Sequence, residues 1–184
     1  MKAFKHATAL LVLTAGVAFA ESHANPMVGG AEMFADKTIV ENAANSADHT
    51  TLVAAVTAAG LAETLMGAGP FTVFAPTNDA FAKLPAGTVD TLLLPENKDQ
   101  LTKILTCHVV AANAMSGDIM GMIEDDGGEH TVATVGGCAF TVMAKDGVVM
   151  IKDGMGNIAN VTIADVKQSN GVIHVIDAVL LPAM

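Results

Sequence analysis

The chain has 184 residues, and nineteen acidic side chains against nine lysines give it a formal net charge of −10 at pH 7. It contains no Arg, Trp or Tyr, so it lacks both the basic surface and the stacking side chains of a nucleic-acid-binding protein. The same charge makes anionic membranes poor partners. The length suits one domain with a substantial core.

The N-terminal residues have the pattern of a secretory signal peptide. Lys2 and Lys5 precede an apolar run over 7–20 that ends in a small-x-small sequence. We therefore predict a signal peptide over 1–20 and a secreted protein, either periplasmic or extracellular; a buried N-terminal helix is the alternative. The apolar run is too short to span a membrane, so we expect no stable membrane insertion.

Residues 21–36 are small, polar and interrupted by glycines, which predicts a linker or disordered arm. One domain is expected over 37–184. The spacing of its apolar residues is mainly helical up to about residue 106 and mostly strand-like afterwards. The predicted strands include 107–110 and 178–181. Helices early and strands late predict an α+β domain.

The stretch from Phe71 to Phe81 combines a short strand with the start of a helix. A proline ends the strand because it has no N–H to donate. Thr77 or Asn78 can then accept from the free amides of the next helix, while Asp79 favours its positive end.

The last strand pattern begins with a turn at Asn170 and Gly171, residue types that accept positive φ at low cost. Both faces of the following strand, Val172–Ile176, are apolar, which predicts a position in the middle of the core. His174 lies within it. A buried imidazole needs hydrogen-bond partners, so this histidine either stabilises the fold or performs chemistry.

Two cysteines, Cys107 and Cys138, remain after removal of the predicted signal peptide. Secretion exposes them to an oxidising compartment, so we predict a disulfide between them. Two buried free thiols are the alternative, because sequence alone does not bring the two Cα atoms within bridging distance.

Three segments in order, 72–81, 107–110 and 170–182, resemble the sequence boxes of the fasciclin domain, with Cys107 at the usual tyrosine position. The resemblance implies a wedge of two mainly antiparallel β-sheets with helices packed along one side. It also implies binding or adhesion without enzyme activity or a cofactor. Five residues carry the structural motif of the family: Thr77, Asn78, Asp79, His108 and His174.

We expect no catalytic residues. Cys107 and His108 are predicted as neighbours on a strand, where their side chains point to opposite faces and cannot form a thiolate–imidazole pair. The sequence has neither a nucleophile elbow nor a zinc-binding His-Glu-x-x-His. The acidic loop 124–130 is a candidate cation site and the eleven methionines are candidate Cu(I) ligands. A solvated turn and core packing explain both more simply, so we predict no metal site.

The resemblance suggests one contact region. Some animal fasciclin domains bind integrins through an Asp-Ile pair before the last box, and Asp165-Val166 stands at that spacing before Asn170 and Gly171. We take these four residues as the candidate binding residues. A structural role for Asp165 at the end of a strand is the alternative.

These observations predict a secreted, monomeric, non-enzymatic fasciclin-domain protein for cell adhesion or surface interaction. Its partner is an unknown cell-surface or matrix protein or carbohydrate. The alternative is a periplasmic small-ligand or metal-binding protein that uses His108, His174 or the acidic loop.

Overall fold

The structure is a computed structural model that describes residues 25–183. The predicted signal peptide over 1–20 lies outside the described residues. Within 25–183, no helix has the length and apolar character needed to cross a membrane.

The described part of the predicted arm over 21–36 differs from the expectation. It forms a hairpin of two short antiparallel strands, β1 (Met27–Val28) and β2 (Ala31–Glu32). Val28 and Met33 are buried in the core beneath the helices. These two buried side chains pack residues 27–33 against the helices, so this part of the predicted arm is folded against the domain.

Seven α-helices are found in the described residues. Short polar side chains begin several of them: Thr38 and Glu41 form a reciprocal capping box at the first helix. Gly60, with φ of 74°, ends the second helix in the left-handed conformation. The helices are α1 (Ile39–Asn45), α2 (Thr50–Ala59), α3 (Ala62–Leu65), α4 (Asn78–Ala82), α5 (Thr88–Leu92), α6 (Lys98–Cys107) and α7 (Ser116–Asp125).

Seven further strands form the main sheet, in the spatial order β4-β3-β9-β8-β7-β6-β5. All neighbours are antiparallel except β3 and β9, which are parallel. The α+β class predicted from the sequence is confirmed. The strands are β3 (Phe71–Pro76), β4 (Val109–Val110), β5 (Glu129–Ala133), β6 (Ala139–Lys145), β7 (Val148–Lys152), β8 (Ile158–Gln168) and β9 (Gly171–Ile176).

The long strand β8 divides this sheet into two halves. Its first residues, 158–160, pair with β7, whereas 161–168 pair with β9. Register shifts between Val161 and Ile163 and between Ile163 and Val166 mark irregular pairing, which bends a strand and increases its twist. The two sheets predicted from the sequence are therefore two halves of a single seven-stranded sheet, and β8 belongs to both halves.

The two ends of the strand order, β4 and β5, are brought together by the chain around them. The N–H of Val135 donates to the C=O of Val109 at 2.8 Å. Cys107 and Cys138 form the predicted disulfide, with their Cα atoms 5.4 Å apart. The sheet is therefore nearly closed, and its two ends are covalently linked.

The main sheet separates two apolar cores. One lies between the helices and strands β3, β8 and β9, and it includes Leu52, Val56, Val73, Leu101, Leu105, Ile173 and Val175. The other lies inside the curved sheet beside α7, and it includes Phe74, Ile119, Ile123, Phe140, Val142, Ile151 and Ile176. Strand β9 contributes side chains to both cores, as its two apolar faces predicted.

Two predicted strands differ from the structure. Cys107 is the last residue of α6, and His108 follows as its C-cap, so only Val109–Val110 is extended and paired. Residues 178–181 do not pair in the sheet. They are held instead by side chains of His108 and Asp153, which accept from the N–H groups of Leu180 and Leu181.

We expect loss of the disulfide to lower the free energy of unfolding. The bridge spans a sequence separation of 31, for which the chain-entropy estimate is about 3–4 kcal/mol. Urea unfolding of the Cys107→Ser, Cys138→Ser double variant measures the loss, and adding reductant to that variant provides the control because it has no bridge to break. Two titratable thiols in the denatured, non-reduced wild type would contradict this prediction.

Candidate functional site

Asn170 connects the last strand to the helices. It is 6% exposed, and its Oδ1 accepts from the N–H of Ile39 at 3.0 Å. Its Nδ2 donates to the C=O of Leu65 at 2.7 Å and of Gly67 at 2.9 Å. The C=O of Asn170 accepts from the N–H of Phe71 at 3.0 Å. Every polar group of this side chain is therefore used within the domain.

Asn78 performs the same task at the first sequence box. Its Oδ1 accepts from the N–H of Thr51 at 3.0 Å and from the hydroxyl of Thr50 at 3.1 Å, which caps the first turn of α2. Its Nδ2 donates to the C=O of Ala47 at 2.8 Å. Asn78 thus connects α4, of which it is the first residue, to α2.

The two residues beside Asn78 act locally on α4. Thr77 is the N-cap, and its hydroxyl accepts from the N–H of Ala80 at 3.2 Å. Asp79 is exposed in the first turn, where a negative charge interacts favourably with the helix dipole.

His108 is buried and fully hydrogen-bonded. Its Nδ1 lies 2.8 Å from the C=O of Ile104, to which it can only donate. Its Nε2 accepts from the N–H of Leu180 at 2.9 Å. This arrangement requires the neutral imidazole, and burial lowers the pKa of His108 to about 4.

His174 connects strand β9 to the segment before α7. Its Nε2 donates to the C=O of Ala114, 2.8 Å away, and its Nδ1 accepts from the N–H of Asp165 at 3.2 Å. The ring also stacks on Phe74, with 5.7 Å between centroids. Burial lowers the pKa of His174, so this imidazole is also kept neutral.

Asp165 lies beside the second register shift of β8 and has a positive φ of 60°. Its carboxylate accepts from the N–H of Ser116 at 2.6 Å and from the Ser116 hydroxyl at 2.5 Å. Ser116 is the first residue of α7, so Asp165 satisfies an amide that no residue of that helix can reach. Asp165 thus has a structural role, but inside β8 (Ile158–Gln168) and not at the strand end that the sequence alternative assumed.

The four candidate binding residues are therefore only partly accessible. The side chain of Val166 is fully buried, Asn170 is 6% exposed, and Gly171 is half-buried at the start of β9. Binding by these residues stays a prediction, and in this conformation direct contact is possible at the half-buried Asp165 and Gly171 and at the exposed residues beside them.

The acidic loop 124–130 closes the end of α7 and begins β5. Asp126 accepts from Nδ1 of His130 at 2.6 Å, and Glu129 lies 3.9 Å from Nζ of Lys152. Within residues 25–183 no group of three or more His, Cys, Asp or Glu side chains is placed to hold a metal ion.

The structure gives a different reason for excluding a catalytic thiolate–imidazole pair of Cys107 and His108. Cys107 ends a helix and is bonded to Cys138, so its sulfur is not a thiolate nucleophile. The two ring nitrogens of His108 are occupied by main-chain groups. Neither residue is available for nucleophilic catalysis in this structure.

Sequence reasoning missed two buried polar groups. Asp153 accepts from the N–H groups of Met155 and Asn157, at 2.9 and 2.8 Å, and from Leu181. The sequence signal that could have predicted this turn is Asp153-Gly154 followed by Gly156 and Asn157. The side-chain amide of Asn42 donates to the side chain of Gln168, which lies 126 positions later in the sequence. No local sequence pattern predicts this pair.

We expect Asp165→Ala to lower the free energy of unfolding by about 1–2 kcal/mol, because it removes a capping carboxylate from α7. Urea unfolding measures the loss. Asp79→Ala provides the control, since Asp79 is an acidic residue at a helix N-terminus, in the first turn of α4, but is exposed. Unchanged stability of Asp165→Ala, together with loss of a surface-attachment activity, would instead identify Asp165 as a contact residue.

We also expect the fold to become less stable in acid because of His108. Its pKa is about 4 in the folded state against an ordinary value of 6.5, so the unfolded chain takes up the proton first. The stability that neutral His108 contributes is fully present above pH 6.5. It decreases as the pH falls below 6.5 and is lost once the pH has fallen through 4, and the total loss is about 3 kcal/mol.

Urea unfolding at pH 7, 5.5 and 4 tests this expectation. His108→Gln removes the titrating group, so the variant should show a correspondingly smaller fall in stability over the same pH range. An equal fall in both proteins would contradict the assignment to His108.

Comparison with known proteins gives a consistent result. The fasciclin domain family matches residues 47–182. A protein of the cyanobacterium Synechocystis, named sll1483, is 56% identical over 147 residues, which are 80% of this chain and 74% of that protein. The cell surface glycolipoprotein MPB83 of Mycobacterium bovis is 35% identical over 160 residues, 84% of this chain and 64% of the relative.

Among solved structures, a FAS1 domain pair from the insect cell adhesion molecule fasciclin I has a similar fold, with a TM-score of 0.69 and 20% identity. The match covers 79% of this chain and 51% of the insect chain. At this identity the likeness concerns the fold alone. The fasciclin domain family matches most of the chain, and the matched residues include all three sequence boxes. This chain therefore belongs to the fasciclin domain family.

Proposed function

We propose that this protein is a secreted, non-enzymatic adhesion module that binds a partner at the cell surface. The observation that carries the proposal is structural: the polar residues of the sequence boxes are occupied in holding the fold together. Asn78, Asn170, His108 and His174 direct their hydrogen bonds inward. Because these polar side chains are occupied within the fold, we assign the function to the surface of the protein rather than to a reaction centre.

The names of similar proteins support this proposal. One relative is described as a cell surface glycolipoprotein, and the structural neighbour comes from an insect cell adhesion molecule. Secretion of this chain fits the predicted signal peptide over 1–20. The partner is a cell-surface or matrix protein or carbohydrate.

The outward side of β6, β7 and the start of β8 is the surface that best suits contact. We call it the outer sheet face and define it by Thr141, Met143, Val148, Met150, Ile158 and Asn160. Paired residues place these side chains together, with Met143 opposite Met150 and Met150 opposite Asn160. These side chains are exposed or half-buried, whereas Val142 and Ile151 point inward to the core.

Two properties make the outer sheet face suitable for binding. Val148 is 42% exposed and Ile158 is 49% exposed, and contiguous exposed apolar groups are typical of interaction sites. Methionine is also enriched at protein interfaces. Lys145, Lys152 and Glu129 lie on the same side, with Glu129 3.9 Å from Nζ of Lys152, so the face carries charges of both signs.

We expect the Val148→Glu, Ile158→Glu double variant to lose binding of the purified domain to cell-surface material by about tenfold or more, because two charges enter the contact. Leu94→Glu is the matched control, since Leu94 is a comparably exposed apolar residue, at 44%, on the helical side. A pull-down measures retention, and thermal unfolding checks that both variants fold. Equal retention of both would contradict the outer sheet face as the contact surface.

The second candidate function, a periplasmic small-ligand or metal-binding protein, is favoured by a different observation. The structure contains an apolar cavity between α5, α6 and the C-terminal segment. Elemental analysis of protein purified without chelators tests the metal part of this alternative, because stoichiometric metal would support it over adhesion alone.

A further inference from the structure

The cavity between α5, α6 and the C-terminal segment has a volume of about 260 Å³. Its wall is mainly aliphatic, formed by Leu84, Leu92, Ile104, Met155 and Leu181. Ligand sites in proteins have this composition, with a few polar groups that orient the ligand. The cavity is separate from the outer sheet face, and of the sequence boxes only Leu181 and Pro182, at the end of the last one, line it.

Hydrogen bonds to the buried Asp153 hold the main chain of this wall in place without a ligand. The carboxylate of Asp153 accepts from the N–H of Leu181 at 3.0 Å and from the N–H of Met155 at 2.9 Å. The N–H of Gly154 donates to the C=O of Leu181 at 3.1 Å. Two residues of the wall, Met155 and Leu181, are therefore fixed by one side chain, and a preformed wall lowers the entropy cost of binding.

The polar part of the cavity is basic. Lys103 and Gln100, one turn apart on α6, line it together with Thr88, and no acidic residue does so in the described part of the chain. The Lys103 ammonium has no carboxylate within 4.0 Å among residues 25–183. Lys103 is exposed, so its ammonium is free to contact an anion at the mouth of the cavity.

We propose that this cavity binds a small amphipathic carboxylic acid, of the class of medium-chain fatty acids. The aliphatic chain lies against Leu92, Ile104 and Leu181, and the carboxylate accepts hydrogen bonds from Lys103 and Gln100. Taking about 30 Å³ for each water-sized atom, the volume holds on the order of ten non-hydrogen atoms. Octanoate has this size.

Titration of sodium octanoate into the folded protein, followed by calorimetry and backbone amide NMR, tests the proposal. We expect saturable one-to-one binding, with a dissociation constant on the order of a millimolar or tighter. The shifted amides should belong to α5, α6 and residues 153–157. Absence of saturable binding would overturn the proposal, as would shifts confined to the outer sheet face.

Charge reversal on α6 separates a specific site from general hydrophobic binding. Lys103→Glu should weaken octanoate binding about tenfold and leave the binding of octanol, which has no charge, unchanged. Lys98→Glu is the matched control: it is the same substitution on the same helix, and Lys98 packs near Gly60, away from the cavity. Equal effects of the two substitutions on octanoate binding would overturn the assignment of Lys103.

Both lysines are exposed, so thermal unfolding should show that both variants keep the fold. Phosphatidylglycerol vesicles distinguish a free acid from a membrane lipid as the source of the acyl chain. We expect no co-sedimentation with them, and co-sedimentation that depends on Lys103 would overturn the assignment to a free acid.

Discussion

The pairing of β3 with β9 is the constraint on which the rest of the structure depends. These strands come from the first and last sequence boxes, and they run parallel with Phe74 opposite His174. Their backbones approach closely, since a Cβ on Gly171 would lie 1.9 Å from the C=O oxygen of Phe71. Because both faces of β9 are covered by side chains, this one pairing connects the two cores.

The polar side chains around this pairing serve the fold first. His174 and Asp165 connect β9 and β8 to the start of α7, where Asp165 caps Ser116. Asn170 connects the turn before β9 to α1 and α3. Each group is buried or partly buried and satisfied, which explains why residues that suggest chemistry in the sequence form no reaction centre in the structure.

His108 and Asp153 extend the same principle to the C-terminal segment. They accept from consecutive amides, those of Leu180 and Leu181, and so replace the sheet pairing that the sequence predicted for 178–181. A segment held by side chains rather than by a strand ladder can present one side to the core and the other to a cavity. The wall of the apolar cavity beside α6 thus includes a segment whose Leu181 N–H is held by Asp153.

The sequence by itself determined the α+β class, the disulfide partners, the caps of α4 and the buried character of β9. These features follow from local periodicity, from capping chemistry and from the presence of only two cysteines. Only the tertiary structure decided the docking of residues 27–33, the helical position of Cys107, the capping role of Asp165 and the cavity beside Lys103. These depend on contacts between residues far apart in the chain, and such contacts leave no periodic signal in the segments that make them.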